Sequence, residues 1–220
     1  MFELALLKMV HVLGLVYWLG TDLGVFYSSL FVVDEKRSPE VRIAAAKILF
    51  TLDFAPRVCM PLMLPTGVHL AKMMGAFKVP DMVVAACWVV GLFWVGMVVF
   101  LNFTSNQKAK ERLFKVDFNF RLVVIAILLV FAAYELLTSS QLLRDWLVYK
   151  VIVFAGTIAC GLAIRVKLRQ FTPAFRKLVE GVHSDADSSA ISRSLIETRP
   201  YVIAIWIGLL ANTAWSVKLI

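Results

Sequence analysis

Two histidines, His11 and His69, stand inside long apolar runs, where an imidazole has few ordinary roles. Ionisable side chains are costly in hydrocarbon, so each one there is a candidate functional group. A neutral imidazole offers one nitrogen to a metal while the other makes a hydrogen bond. Two such rings at one depth would supply both axial ligands of a b-type haem. The alternative is a structural role, in which both histidines hydrogen-bond to backbone or to Glu135.

Six apolar segments are long enough to carry these residues across a bilayer. Hydrophobic residues make up 60% of the 220 positions and charged residues only 17%, with a mean hydropathy of +0.81. A bilayer core of roughly 30 Å needs about 20 helical residues, whose backbone groups are satisfied within the helix. We therefore predict an all-α fold, a polytopic bundle of six transmembrane helices in one domain, 1–220. The predicted spans are 4–31, 54–74, 80–104, 118–140, 145–168 and 200–220.

Two of the segments between the spans have a character of their own. In 39–52, apolar residues recur at helical spacing with Arg42 and Lys47 on the opposite side. This pattern predicts an amphipathic helix on the membrane surface. The segment 169–199 is the longest polar stretch and is predicted to be a cytoplasmic loop with some helix.

The distribution of basic residues predicts the orientation in the membrane. Lysine and arginine are concentrated in the first, third and fifth gaps between spans, whereas the second and fourth gaps hold only Lys72, Lys78 and Arg144. Cytoplasmic loops carry the excess of positive charge, so both termini are predicted to lie outside a bacterial inner membrane. The net charge of +8 is then explained by topology and anionic lipid, and no nucleic-acid partner is expected.

The predicted topology places the two histidines at one depth. Span one descends from the outer face and span two returns to it, so His11 and His69 each lie roughly 8–10 Å below the outer surface, at about 1.5 Å per residue. Glu135 on span four falls in the same outer layer. A copper site with Glu135 as the third ligand is therefore the rival to haem.

Neighbouring residues on the first span suit a ligand site. At about 100° per residue, His11 shares a helix face with Gly14, Trp18 and Asp22. That face is too polar for lipid and is predicted to point into the bundle, and small Gly14 allows a helix or a flat ligand to approach closely.

Two lysines lie one helical turn outward of the histidines. Lys8 precedes His11 by three residues and Lys72 follows His69 by three. Both are candidates for binding haem propionates at the outer interface. The alternative is that they reach the headgroups as ordinary snorkelling lysines.

Asp22 lies about three turns below His11 and needs a partner if it is buried, since an unpaired charge there is costly. Arg57 is the first candidate and Arg121 the second. An ion pair that locks helix ends is the ordinary interpretation. If the protein moves protons, Asp22 is the predicted proton carrier.

The first two spans carry a family resemblance. Residues 8–20, with His11, Trp18 and Gly20, resemble the opening of the CopD-like and HemJ-like membrane proteins, and residues 55–70 are similar to their second helix, with its Pro/Thr/Gly patch. The resemblance implies haem-linked porphyrin oxidation or copper handling. It also implies that His11 is the essential histidine that the family shares.

Three functions are therefore open at this point. The favoured hypothesis is a bis-histidine haem b protein that serves electron transfer or porphyrin or quinone redox chemistry, as an oxidoreductase or as an electron-transfer subunit. Its partners would be the lipid bilayer, a quinone or porphyrin, and a redox protein that could dock on 169–199. The alternatives are a copper or other metal transporter of CopD type and a structural membrane subunit without cofactor.

Overall fold

A computed structural model of the protein describes residues 1–138 and 140–217, and the regular elements in that part of the chain are α-helices. The predicted ends of the fourth span, at 140, and of the sixth, at 220, reach residues 139 and 218–220, which lie outside the described residues. The helices are α1 (Phe2–Val33), α2 (Pro39–Leu52), α3 (Phe54–Met73), α4 (Asp81–Phe103), α5 (Gln107–Thr138), α6 (Asp145–Lys167), α7 (Phe171–Val179), α8 (Asp185–Ile196) and α9 (Arg199–Ser216).

Six of the helical segments in the described part are long and apolar enough to cross a membrane, those containing α1, α3, α4, α5, α6 and α9. Large apolar side chains point outward along them, for example Val89, Val130 and Leu137, which are 69%, 70% and 86% exposed. Such surfaces suit lipid rather than water. The prediction of an all-helical, multi-pass membrane protein is confirmed at this level, while the side that each terminus faces stays a prediction.

The six spans pack around one apolar centre. α3 packs between α1 and α4, and α6 packs between α5 and α9. The two groups meet where α4 touches α5 and where α1 touches α9. All six helices contribute to the central cluster, which contains Trp18, Met60, Trp94, Met97, Val98, Val124, Ile158, Ile205 and Leu209.

Two prolines shape the contact between α3 and α4. Pro65 has no N–H, so the carbonyl of Pro61 one turn earlier has no helical partner. α4 passes this point at Gly91, where an added Cβ would lie 2.7 Å from Pro65 Cγ and 3.3 Å from the Pro61 carbonyl oxygen. Glycine is therefore required at this position by the close approach of the two helices.

Replacement of Gly91 by alanine should push α3 and α4 apart, because neither the Pro65 ring nor the Pro61 carbonyl oxygen can move away by a side-chain rotation. Overpacking of this kind costs about 1–3 kcal/mol. We expect a lower midpoint of thermal unfolding in detergent. Gly96 on the same helix is the matched control, since an added Cβ there meets no atom within 4 Å. A Gly96→Ala midpoint that fell as far as that of Gly91→Ala would contradict the steric explanation.

α5 begins earlier than predicted. The helix starts at Gln107 rather than at residue 118, so the third gap between spans is largely helical. The side chain of Asn106 accepts a hydrogen bond from the Ala109 amide (3.2 Å), as a helix-capping residue does. The Lys, Arg, Gln and Glu residues that follow favour helix, which explains why this charge-rich stretch before the predicted span is helical.

The remaining helices, α2, α7 and α8, form a layer at the end of the bundle where α1 stops, and we call these three helices the helical cap. The helical cap has a core of its own, to which Val32 of α1 also belongs. The segment 169–199, predicted as a loop with some helix, contains two of its helices. Ser184 and Asp187 make a reciprocal capping box at the start of α8, which explains why this serine-rich and aspartate-rich sequence is helical.

Candidate functional site

The His11 ring is held in one orientation by α3. Its Nδ1 lies 2.8 Å from Thr66 Oγ1, and the single hydroxyl hydrogen of Thr66 points to the carbonyl of Leu62 at 2.6 Å. Because that hydrogen is already used, Thr66 can only accept from His11, and Nδ1 must carry the ring proton. In the neutral imidazole, the lone pair on Nε2 is then available to bind a metal ion or a proton.

Close packing of α1 against α3 maintains this arrangement. An added Cβ at Gly67 would lie 3.4 Å from His11 Cε1, and one at Gly14 would lie 3.0 Å from Met63 Sδ. Trp18, on the same face of α1, is 4% exposed. The predicted face of the first span therefore points into the bundle, against α3.

His69 is oriented differently. The indole N–H of Trp88 on α4 points to His69 Nδ1 at 3.4 Å, with the two rings nearly perpendicular. An indole N–H is a donor only, so Nδ1 accepts and the neutral ring carries its proton on Nε2. In this state His69 is not ready to bind a metal through Nε2. The contact is long and therefore weak, so little free energy is needed to release the ring.

The two predicted lysines differ in their surroundings. Lys72 forms an ion pair with Asp81 at the start of α4, and Lys8 is exposed. A third lysine, Lys150 on α6, was not among the predicted residues although it lies inside a span, where its ammonium group donates to Ser216 Oγ on α9 at 2.5 Å. The rule that singled out the histidines, an ionisable group in an apolar run, would have identified it.

Glu135 is not brought to the histidines. It is buried at the end of α5, where it accepts hydrogen bonds from Ser140 Oγ (2.6 Å) and from the Leu143 amide (3.4 Å). It lines a cavity of about 670 Å³ whose wall includes neither His11 nor His69. Residues 1–138 and 140–217 contain no group of three His, Cys, Asp or Glu side chains that could hold a metal ion. The predicted copper ligand set is thus not assembled.

Asp22 has a different partner from the predicted ones. Its carboxylate accepts a hydrogen bond from Trp206 Nε1 on α9 at 2.7 Å. Arg57 pairs with Asp53, one helical turn away, and Arg121 pairs with Asp117. The expected pairing of Asp22 with either arginine was wrong, because each arginine finds a carboxylate four residues away on its own stretch of chain.

A charged cluster that the sequence analysis missed joins three spans. Asp117 has no exposed surface, and its carboxylate binds Arg121 Nε (3.0 Å), Arg165 and the indole N–H of Trp94 (3.1 Å). The Arg121 guanidinium also lies over the Trp94 ring. Asp117 and Arg121 are four residues apart at the start of a span, and this spacing is the sequence pattern from which their ion pair could have been predicted. Because donors from three spans bind the Asp117 carboxylate, the cluster serves to hold α4, α5 and α6 together.

Of the two predicted ligands, His11 is oriented in a way that suits metal ligation, whereas His69 is not while Trp88 donates to it. His11 offers a free Nε2 lone pair on a fixed ring, which is how haem-binding histidines are prepared. His69 lies on the helix that positions His11 but must first give up its contact with Trp88. Comparison of the chain with protein-family models, with curated proteins and with solved structures gave no match.

Proposed function

We propose that this chain is a membrane haem b protein in which His11 is the principal axial ligand and His69 is the second, recruited when its ring leaves Trp88. The site lies in the outer half of the bundle, and the membrane is a bacterial inner membrane with both termini outside. The haem would serve electron transfer or the redox chemistry of a quinone or porphyrin. The observation that carries the proposal is the free Nε2 lone pair of His11, created by the chain of hydrogen bonds from His11 to Thr66 to Leu62.

The residues around His11 support this role in distinct ways. Thr66 fixes the tautomer and the plane of the ring, and a hydrogen bond to the distal nitrogen also makes the ligating nitrogen more basic. The buried Trp18 and the close contact of Gly14 with Met63 keep this face of α1 against protein. A bound haem would supply reversible one-electron chemistry at iron.

A reduced-minus-oxidised absorption spectrum of the detergent-purified protein, expressed with haem supplied, tests the proposal. We expect a b-type α-band in the wild type and none in His11→Ala. His69→Ala should keep the haem but change its spectrum from six-coordinate low-spin to high-spin, because only one protein ligand remains. His183→Ala, in the connection between α7 and α8, is the matched control and should be spectrally identical to the wild type.

Thr66→Val gives a further test, because it removes the hydroxyl while keeping nearly the same volume. Loss of an outer-shell partner typically weakens metal binding about 10–100-fold, and we expect a loss of haem affinity in that range. A wild-type protein without a Soret band would sink the proposal. So would a full spectrum in His11→Ala.

A further inference from the structure

The charged cluster around Asp117 contains more positive than negative charge. Asp117 has no exposed surface, and the two arginine side chains that pair with it, Arg121 and Arg165, are only 4% and 15% exposed. Two guanidinium groups and one carboxylate leave a net charge of +1, because arginine keeps its proton in proteins. A buried charge without a counter-charge is costly, most of all within a membrane. The cluster therefore favours a further anion.

The Arg121 guanidinium has donors that the protein leaves unsatisfied. Its Nε donates to Asp117 Oδ2 at 3.0 Å, but its Nη1 reaches only the thioether sulfur of Met60 on α3, at 3.7 Å. Its Nη2 is buried without a hydrogen-bond partner in the described part of the chain. A thioether is a weak acceptor, and buried donors are almost always hydrogen-bonded in native proteins. One edge of this buried guanidinium is thus available to a ligand that accepts hydrogen bonds.

The other carboxylates near this end of the bundle have partners of their own. Asp53, just before α3, forms an ion pair with Arg57, and Asp22 on α1 accepts a hydrogen bond from α9. In the part of the chain that the structure describes, Asp117 is the carboxylate that forms ion pairs with Arg121 and Arg165. The excess charge is therefore not balanced by a second acidic side chain.

The cluster can be reached from the end of the bundle that carries the helical cap. Arg165 lies in the last turn of α6, which ends at Lys167, and α7 of the helical cap begins at Phe171. The Arg165 side chain is partly exposed there. Methionine is unbranched and flexible, so the Met60 sulfur can leave Arg121 and make room for an oxygen ligand.

We infer that Arg121 and Arg165 together bind a phosphate group that enters at this end of the bundle. Arginine binds phosphate oxygens through paired N–H donors. The phosphodiester of a phospholipid carries a single negative charge, which equals the excess charge of the cluster. The phosphate group belongs either to such a lipid headgroup or to a soluble phosphate compound. This inference is independent of haem binding.

The test is thermal unfolding of the full chain in a phosphate-free maltoside detergent. One series adds inorganic phosphate, with sodium chloride of equal ionic strength as its reference. The other adds phosphatidylglycerol, with a glycolipid that lacks phosphate as its reference. A ligand that binds only the folded protein raises the unfolding midpoint, by about 5–10 °C at a concentration about 100 times its dissociation constant. We expect such a rise over the reference in at least one series, and the series that shows it identifies the source of the phosphate group.

Two variants test the assigned residues. Arg121→Met and Arg165→Met each leave Asp117 paired with one arginine, so both remove the excess charge without creating an unpaired carboxylate. We expect both to lose the rise, whereas Arg37→Met, which changes an exposed ion pair with Asp34, should respond as the wild type does.

The inference is overturned if the wild-type midpoint rises no further than its reference in either series, a result that needs no variant to fold. It is also overturned if Arg121→Met and Arg165→Met keep the full rise. Both outcomes leave haem binding untouched, because the α-band of the wild type is measured separately.

Discussion

Replacement of Asp117 by asparagine should destabilise the protein more than any other single substitution considered. The change removes one negative charge and leaves the guanidinium groups of Arg121 and Arg165 facing each other in a buried site. Breaking a buried ion pair by removing one partner costs about 3–5 kcal/mol. That is a large part of the 5–15 kcal/mol that typically separates folded from unfolded protein.

The measurement is thermal unfolding in detergent, followed by helical circular dichroism or by loss of the monodisperse species. For a chain of this size, we expect the midpoint to fall by about 6–20 °C, since 1 kcal/mol corresponds to about 2–4 °C. Asp34→Asn is the control, because its pair with Arg37 is exposed and such pairs contribute about 0–1 kcal/mol. Equal midpoints for the two variants would contradict the assigned role of Asp117.

A variant in which all three charged residues of the cluster are replaced distinguishes the contribution of charge balance from that of packing. Buried ion clusters can often be replaced by apolar residues of similar volume without loss of stability. We therefore expect Asp117→Leu, Arg121→Met and Arg165→Met, when combined, to recover much of the stability that Asp117→Asn loses. Failure to recover would mean that the cluster stabilises the fold through the hydrogen-bond geometry of Trp94 and the arginines, not through charge balance.

Replacement of Arg42 by methionine should loosen the helical cap. Arg42 is 3% exposed, and its guanidinium donates to the Val32 carbonyl at the end of α1 (3.0 Å) and to Ser188 Oγ on α8 (3.1 Å). Methionine preserves most of the apolar stem but neither hydrogen bond. Hydrogen bonds to charged groups contribute about 1.5–3 kcal/mol, so the locally open state should become about 10–100-fold more populated.

Limited chymotrypsin digestion of the purified protein measures that opening, because the helical cap contains buried Phe171, Leu178 and Leu195. We expect cleavage in α7 and α8 to accelerate by the same factor, while the spans remain intact. Lys47→Met, at an exposed position of α2, provides the comparison and should digest at the wild-type rate. Unchanged digestion of Arg42→Met would show that the apolar core alone holds the helical cap in place.

Hydropathy and helical periodicity were sufficient to predict an all-helical, multi-pass membrane protein. Long runs without charge must satisfy their own backbone groups, and helices are the form that does so. The same reasoning placed the His11 face against protein, because a face with Asp22 and Gly14 is unsuited to lipid. It did not give the bounds of the helices in the polar segments before α5 and between α6 and α9, where helix formation depends on caps and packing rather than on hydropathy.

The sequence by itself therefore determined the helical membrane bundle and the candidate histidines, since both follow from transfer free energies that act on each residue separately. Only the tertiary structure decided the partners. Thr66, Trp88 and Trp206 lie on different helices from the side chains they bind. No local pattern could therefore assign the tautomer of His11, the hydrogen bond that His69 accepts from Trp88 or the hydrogen bond that Asp22 accepts from Trp206. Hydrogen bonds depend on ångström-scale geometry between distant segments, whereas apolar burial depends on composition, and this difference sets the limit of what the sequence could predict.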